Sequence, residues 1–224
     1  MPSSRGYRFV ADGIYHVLSR GVERRSIFAN NREYERFSML LEYYRVNKPP
    51  LSFSHFLALP VSQREIYRQS LAKRALLADI VAYCLMPNHY HLIVRQKQEN
   101  GVVRMLSNVS NGYAKYFNTK RNRVGPLFQG PFKAIRIETD EQLMHLSRYV
   151  HINPFVSGTE KNWKKSNIWR LKRKRFKAKL PGGLKTQVTV RVLASTGGTD
   201  GTDGPAGRAE WFGDRKGRAS ARPA

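Results

Sequence analysis

The sequence contains little cysteine and few acidic residues. Cys84 is the only cysteine among 224 residues, so an internal disulfide and a cysteine-rich zinc site are both excluded. A single cysteine is compatible with a protein of the reducing cytoplasm. The chain has 16 Asp and Glu against 40 Lys and Arg, which gives a formal net charge of +24. Such an excess of positive charge attracts polyanions, and nucleic acid and anionic membranes are the usual ones.

Long apolar runs are also missing. No stretch reaches the roughly 18 consecutive apolar residues that would span a bilayer. The first residues, Met1 to Gly6, are polar and lack the apolar core of a signal peptide. We therefore expect a cytoplasmic, nucleoid-associated protein that binds nucleic acid and does not bind a membrane.

The hydrophobic fraction of 41% is enough for a core. Residue periodicity predicts the order strand, helix, hairpin, helix, strand, helix, with further helical content before the hairpin. This order favours an α+β domain with a ferredoxin-like or RRM-like antiparallel sheet and helices packed mainly on one face. The predicted strands cover 14–21, 80–86, 89–95 and 132–138, the predicted helices cover 31–46, 62–76, 101–119 and 140–152, and 51–60 is either extended or a helical turn.

The composition changes near residue 160. We expect one domain over 1–160, because the periodic elements end there. Residues 161–180 hold ten Lys or Arg and no acid, which predicts a basic arm or helix. Residues 181–224 are rich in Gly, Thr and Ala with little periodicity, which predicts a largely disordered tail.

Two histidines lie near the start of the second predicted hairpin strand. His89 and His91 are two residues apart, so in a strand they point to the same side, about 7 Å apart. That spacing suits a metal ion. The two histidines by themselves leave open the alternative that they are a pair of hydrogen-bonded polar residues.

The last predicted helix carries two stripes. Leu143, Leu146 and Val150 form an apolar stripe that should pack against the sheet. Beside it, Tyr149 and Asn153 lie one turn apart. Two imidazoles and an amide oxygen would leave metal positions open for phosphate oxygens on Mg²⁺ or Mn²⁺, and a tyrosine can act as a nucleophile. A half-buried tyrosine with a satisfied hydroxyl is the alternative.

Four segments, in this order, resemble the successive blocks of the single-tyrosine HUH transposases, especially the REP-associated tyrosine transposases. The resemblance covers roughly residues 7 to 158. The segments are YHVLSRG at 15–21, MPNHYHL at 86–92, YFN at 116–118 with GPLFQ at 125–129, and RYVHINP at 148–154.

The resemblance implies a transposase that cleaves and rejoins single-stranded DNA. His89, His91 and Asn153 would bind the metal, Mg²⁺ or Mn²⁺. Tyr149 would attack a DNA phosphate and leave a 5′-phosphotyrosine link with a free 3′-OH. Tyr149 follows the histidines along the chain, and this order resembles that of the transposases rather than that of the plasmid relaxases. Tyr113 and Tyr116 are rival nucleophiles, but they fall on the apolar stripe of their helix.

The resemblance also implies partners, namely DNA hairpins with adjoining single strands, bound by a monomer or a homodimer. The candidate DNA-binding residues are Arg20, Lys120, Arg121, Arg123, Phe128, Gln129 and Lys133. For Phe128, stacking on a base and capping of the core are both open. The alternative functions are a domesticated or inactive hairpin-binding protein without catalysis and, with less support, an RNA-binding module.

Overall fold

The computed structural model describes residues 9–156 and 191–193. The predicted order of elements is confirmed, and the ambiguous segment before the hairpin contains a short helix. No helix in these two ranges is both long and apolar enough to cross a membrane. The elements are β1 (Ile14–Arg20), α1 (Asn31–Tyr44), α2 (Phe53–Ala58), α3 (Val61–Ala72), β2 (Ala78–Met86), β3 (His89–Gln96), α4 (Gly101–Lys120), β4 (Lys133–Ile137), α5 (Asp140–Val156) and β5 (Arg191–Leu193).

The strands form one sheet in the order β4-β1-β3-β2-β5. β1 pairs antiparallel with β3 and β4, and β2 pairs antiparallel with β3 through the hairpin turn at Pro87 and Asn88. β5 joins the other edge of β2 in parallel. The predicted α+β fold with an antiparallel sheet is therefore confirmed. Apart from β5, the predicted basic arm and tail lie outside the described residues.

The two faces of the sheet are covered unequally. Residues from α1 to α4 share one large hydrophobic cluster with one face, whereas α5 covers the other, so the helices do lie mainly on one face. Strand alternation divides the strand residues between the two clusters. The α5 cluster consists of Ile14, Ala82, Cys84, Met86, Ile93, Ile137, Leu143 and Val150, with Val81 and Leu146 packed against it.

The start of α5 is held by a cap. The Gln142 N–H donates to Thr139 Oγ1 at 3.2 Å, and the Glu138 N–H donates to Gln142 Oε1 at 2.8 Å. The prediction that Pro154 ends this helix is wrong, because α5 continues to Val156. A proline ring fixes φ near a helical value and removes a single N–H, so a helix can pass through it at a cost.

Glu33 connects the start of α1 to the end of α4. The buried carboxylate accepts a hydrogen bond from the Ala29 N–H at 2.8 Å and contacts Lys120 Nζ at 3.3 Å and an Arg121 guanidinium nitrogen at 2.7 Å. Burial alone would raise the pKa of Glu33, but the Ala29 N–H and the two cations outweigh it, so the pKa lies below its usual value. Lys120 and Arg121, both DNA-binding candidates, therefore have an internal partner.

Replacing Glu33 with glutamine should lower the free energy of unfolding by about 1–3 kcal/mol, because two cations lose their carboxylate. Glu35→Gln is the matched control, since Glu35 lies on the exposed side of α1. Urea denaturation at pH 7 measures both. Equal losses in the two variants would contradict the role of Glu33.

Candidate functional site

His89 and His91 lie on the α5 face of the sheet. In the ladder between β1 and β3, Arg20 is opposite His89 and Leu18 is opposite His91. The two imidazole centroids are 5.0 Å apart and the rings are nearly perpendicular, at 83°. The structure thus brings the two histidines together on one side of the strand, as alternation requires.

The hydrogen bonds of His89 leave one ring nitrogen available. Its Nδ1 lies 2.6 Å from the Asn88 side-chain oxygen. The Asn88 amide nitrogen donates to the Arg24 carbonyl at 3.4 Å, which orients the oxygen toward His89. Because that oxygen only accepts, His89 Nδ1 carries the proton and Nε2 keeps its lone pair.

His16 is a third histidine of this face that the sequence analysis did not assign. It is buried, with 6% of its surface exposed, and its Nε2 lies 3.0 Å from His91 Nδ1. The two rings are close to parallel, at 15°. The sequence offered one signal, its place in the 15–21 segment, but only the pairing of β1 with β3 brings it to His91.

All three imidazoles are held neutral. Burial lowers the pKa of His16 and of His89, and the Arg20 guanidinium lowers the pKa of His89 further. Burial and, to a smaller extent, the neighbouring His16 and His89 lower the pKa of His91 to about 3. Neutral imidazoles keep the lone pair that a metal needs, so these pKa shifts favour metal binding near pH 7.

The same shifts predict a pH-dependent stability. An unfolded histidine has a pKa of about 6.5, so the folded protein binds fewer protons than the unfolded chain from there down to about pH 3 for His91. The contribution of the buried neutral histidines to the free energy of unfolding is fully present above pH 6.5. It is lost as the pH falls through this window.

Without metal, the free energy of unfolding should therefore fall between pH 7 and pH 5, by at most about 1.4 kcal/mol per pH unit for each histidine. Urea denaturation in the presence of EDTA measures this slope. A His91→Leu variant should show a shallower slope than the wild-type protein, and identical slopes would contradict the assignment.

Tyr149 faces the histidines from α5. Its ring lies edge-on to the His91 ring, with centroids 5.5 Å apart at 87°. The next residue, Val150, is fully buried, whereas Tyr149 is 49% exposed. The apolar stripe that includes Leu143 packs against the sheet as predicted, and this packing presents Tyr149 at the edge of the site.

Asn153 lies one turn beyond Tyr149 on the same helix. Its side-chain Nδ2 is buried and, among the described residues, has no hydrogen-bond partner. The nitrogen and oxygen of a side-chain amide are distinguished only by their hydrogen bonds. Because this position has no partner among the described residues, the Asn153 oxygen fits it as well as the nitrogen does, and in that orientation the oxygen can face a cation.

The residues of the site fit a divalent cation. Within the part of the chain that the structure covers, no group of three or more His, Cys, Asp or Glu side chains is arranged around a common point. His89 nevertheless has an available Nε2, His91 is a second imidazole beside it, and the amide of Asn153 is unpartnered among the described residues. Imidazole nitrogens are common metal ligands, and an amide oxygen is of the kind that Mg²⁺ or Mn²⁺ accepts. The assignment of His89, His91 and Asn153 as the ligands stays a prediction.

A cleft of about 270 Å³ lies at the end of β1, lined by Leu18, Ser19, Arg20, Gln129, Pro131 and Lys133. The Gln129 N–H donates to the Arg20 carbonyl at 2.8 Å, so the loop before β4 is fixed to β1. The Arg20 Nε is buried, and no partner for it lies among residues 9–156 and 191–193. Three predicted DNA-binding residues, Arg20, Gln129 and Lys133, thus line the cleft.

The other predicted DNA-binding residues are engaged elsewhere. Phe128 is only 9% exposed, and its ring packs 6.0 Å from the Tyr90 ring and 6.4 Å from the Tyr113 ring. This position matches the core-capping alternative rather than stacking on a base. Arg123 donates to Asn118 Oδ1 at 2.8 Å and to the Pro126 carbonyl at 2.9 Å, which holds the loop in place.

The rival tyrosines lie on α4, on the opposite side of the sheet from the histidines. Tyr113 is fully buried and its hydroxyl donates to the Ile27 carbonyl. Burial raises the pKa of Tyr113 far above its usual value. Tyr116 packs against the same cluster and under the Arg36 guanidinium. Among these three tyrosines, only Tyr149 is placed at the histidines.

Comparison with known proteins gives a family match over the part of the chain that holds these residues. Residues 62–153 match the family model described as "Transposase IS200 like", a stretch that contains His89, His91, Tyr149 and Asn153. The family resemblance predicted from the sequence is thereby confirmed over these residues. A search of the curated proteins finds no match.

The chain also resembles two solved structures. One is a REP-associated tyrosine transposase bound to a REP hairpin, at 17% identity and a TM-score of 0.49 over 86% of this chain and 99% of that one. The other is a candidate transposase from Deinococcus radiodurans R1, at 13% identity and a TM-score of 0.36 over 67% of this chain and 95% of that one.

Proposed function

We propose that this chain, whose residues 62–153 match the IS200-like transposase family, is a metal-dependent tyrosine transposase that cleaves and rejoins single-stranded DNA. The observation that carries the proposal is the packing of Tyr149 against His91, with its ring half-exposed beside two histidines. A nucleophile beside a pair of potential metal ligands is an arrangement that suits phosphodiester cleavage.

In the proposed reaction, the Tyr149 hydroxyl loses its proton and its oxygen attacks the phosphorus of a DNA phosphodiester. A bond forms between that oxygen and the phosphorus, and the bond to the 3′ oxygen breaks. The 3′ oxygen takes up a proton and leaves as a 3′-OH, while the 5′ phosphate stays on Tyr149. Attack by a 3′-OH on this linkage reverses the reaction or joins the DNA to a new end, without an external energy source.

His89, His91 and Asn153 would hold the cation, and a bound Mg²⁺ or Mn²⁺ would polarise the phosphate and stabilise the charge that develops on it. The α5 cluster fixes the distance between Tyr149 and the histidines, because Val150 is fully buried next to it. The protein thereby orients the nucleophile before DNA arrives, which lowers the entropic cost of the attack.

The test is a covalent trapping experiment with the full-length protein, Mn²⁺ and a hairpin oligonucleotide that carries single-stranded flanks. A 3′-end label should become attached to the protein on a denaturing gel, because the 5′ phosphate of the 3′ fragment is bound to tyrosine. A 5′-end label should instead appear on a shorter free strand. Transfer of the 5′ label would refute the proposed polarity, and no transfer with any hairpin would refute the activity.

We place the single strand in the cleft of Arg20, Gln129 and Lys133. The cleft is next to His89, because Arg20 pairs with that residue in the sheet. The Arg20 side chain lines the cleft, and a guanidinium is a donor suited to phosphate oxygens. The excess of positive charge over the chain supports the same assignment.

Replacing Lys133 with alanine should weaken single-strand binding and reduce the slope of log K against log salt by about 0.7, the value for one phosphate contact. Lys73→Ala is the control, because Lys73 is an exposed lysine at the end of α3. Fluorescence anisotropy at several salt concentrations measures both. Equal slopes for wild-type and Lys133→Ala proteins would place the strand elsewhere.

A second candidate is a hairpin-binding protein without catalysis, which the net charge of +24 alone would support. It predicts salt-dependent binding of hairpin DNA and no covalent adduct at any Mg²⁺ or Mn²⁺ concentration. The trapping experiment therefore distinguishes the two functions.

A further inference from the structure

The contact between His16 and His91 has two possible protonation patterns. His16 Nε2 and His91 Nδ1 lie 3.0 Å apart. Because both imidazoles are neutral, one proton lies between these two nitrogens and forms the hydrogen bond. If His91 Nδ1 donates, the lone pair of His91 is on Nε2. If His16 Nε2 donates, His91 Nδ1 accepts and Nε2 carries the proton, so it has no lone pair for a metal.

His89 shows which pattern the site requires. Its Nδ1 is held by the Asn88 oxygen at 2.6 Å, an atom that can only accept, so its Nε2 is unprotonated. A metal-binding histidine commonly donates its other N–H to an acceptor, which fixes both the tautomer and the ring orientation. For the two histidines to bind one cation together, His91 needs an acceptor at Nδ1 just as His89 has one.

Nothing but His16 is placed to provide that acceptor within the described hydrogen bonds of His91. His16 is itself fixed, because it belongs to the interior strand β1, which is paired on both sides, and only 6% of its surface is exposed. The nearly parallel rings, at 15°, allow the bond to lie close to the plane of both imidazoles. The ladder also places Ile93 and Ile135 opposite His16 on its two sides, so apolar neighbours limit rotation of its ring.

We propose that His16 is a positioning residue that accepts the Nδ1 proton of His91 and thereby keeps His91 Nε2 free to bind the divalent cation. This inference rests on the proposed function, because it assigns His16 a role toward the same metal site. His16 does not touch the substrate in this scheme. It acts only through the tautomer and orientation of His91.

The first measurement is the tautomer of His91 in the metal-free, full-length protein. Long-range ¹H–¹⁵N correlation spectra of a ¹⁵N-labelled sample distinguish the two neutral tautomers of each imidazole, and a His91→Gln sample assigns its signals. We expect His91 to carry its proton on Nδ1. A proton on Nε2 would overturn the proposal, whether or not the protein cleaves DNA.

The second measurement is Mn²⁺ affinity by isothermal titration calorimetry. His16→Phe keeps a ring of similar size but removes the acceptor, and it should weaken Mn²⁺ binding about 10- to 100-fold, as the loss of an outer-shell partner does. His16→Gln restores an acceptor oxygen and should recover most of that affinity. Unchanged affinity in a folded His16→Phe protein, or equal losses in both variants, would overturn the proposal.

The outcomes separate this inference from the proposed function. Absence of Mn²⁺ binding by the wild-type protein would refute the metal site and the role of His16 together, although the tautomer spectrum would still report the direction of the hydrogen bond. Wild-type binding and cleavage with an Nε2-protonated His91 would refute His16 alone. If His16→Phe does not fold, the wild-type spectrum and the His16→Gln affinity decide the matter.

Discussion

Replacing Tyr149 with phenylalanine is expected to abolish the covalent protein–DNA adduct. The substitution removes one oxygen atom and keeps the ring that packs against His91 at 5.5 Å, so the fold and the metal site should persist. Removal of the nucleophile from a covalent enzyme costs about 10⁶-fold in rate. The adduct should therefore fall below detection on a denaturing gel, while binding of the hairpin oligonucleotide stays within about twofold of wild type.

The matched control for this experiment is Tyr116→Phe. Tyr116 is a rival nucleophile by sequence, but the Arg36 guanidinium lies 5.0 Å from its ring centroid, and a phenylalanine ring preserves that contact. This variant should form the adduct as the wild-type protein does. An adduct that survives in Tyr149→Phe and disappears in Tyr116→Phe would show that the nucleophile was assigned to the wrong helix.

Replacing His91 with alanine is expected to remove metal-dependent cleavage and to weaken Mn²⁺ binding by more than about 100-fold. Loss of an outer-shell partner costs up to about 100-fold, and His91 is proposed to bind the cation directly, so its loss should cost more. The same substitution at His89 should act similarly, because the two rings lie 5.0 Å apart and would share one cation. Adduct formation over a Mn²⁺ titration and calorimetric affinity measure the two effects separately.

His55→Ala serves as the control for both histidine variants. His55 lies on the exposed side of α2, distant in the fold from the α5 face. It should leave the affinity and the adduct unchanged. Cleavage by His91→Ala at wild-type rate over the whole Mn²⁺ range would mean that any cation binds elsewhere, and would leave Tyr149 without the proposed activation.

Local patterns in the sequence were sufficient to predict half of the site. Alternation along a strand is a property of consecutive residues, so the shared side of His89 and His91 follows without knowledge of the fold. The same holds for Tyr149 and Asn153, which helical spacing places one turn apart. The cap formed by Thr139 was also visible, because capping depends on a few adjacent residues.

The remaining features depend on contacts between distant parts of the chain. His16 reaches His91 only through the register of β1 and β3, and no local pattern specifies a register. Arg20 and Gln129 meet because the loop before β4 is bonded to the end of β1. The core position of Phe128 likewise depends on Tyr90 and Tyr113, which belong to other elements.

The buried carboxylate of Glu33 has a consequence for the DNA cleft. It pairs with Lys120 and Arg121 at the end of α4 and offsets part of their charge. These two residues come directly before the segment in which Arg123 holds the loop that leads to Gln129. Without that carboxylate, Lys120 and Arg121 would repel each other next to this loop. In a chain rich in positive charge, a buried anion thus reduces the repulsion between cations at the helix end, next to the loop that leads to the proposed strand-binding cleft.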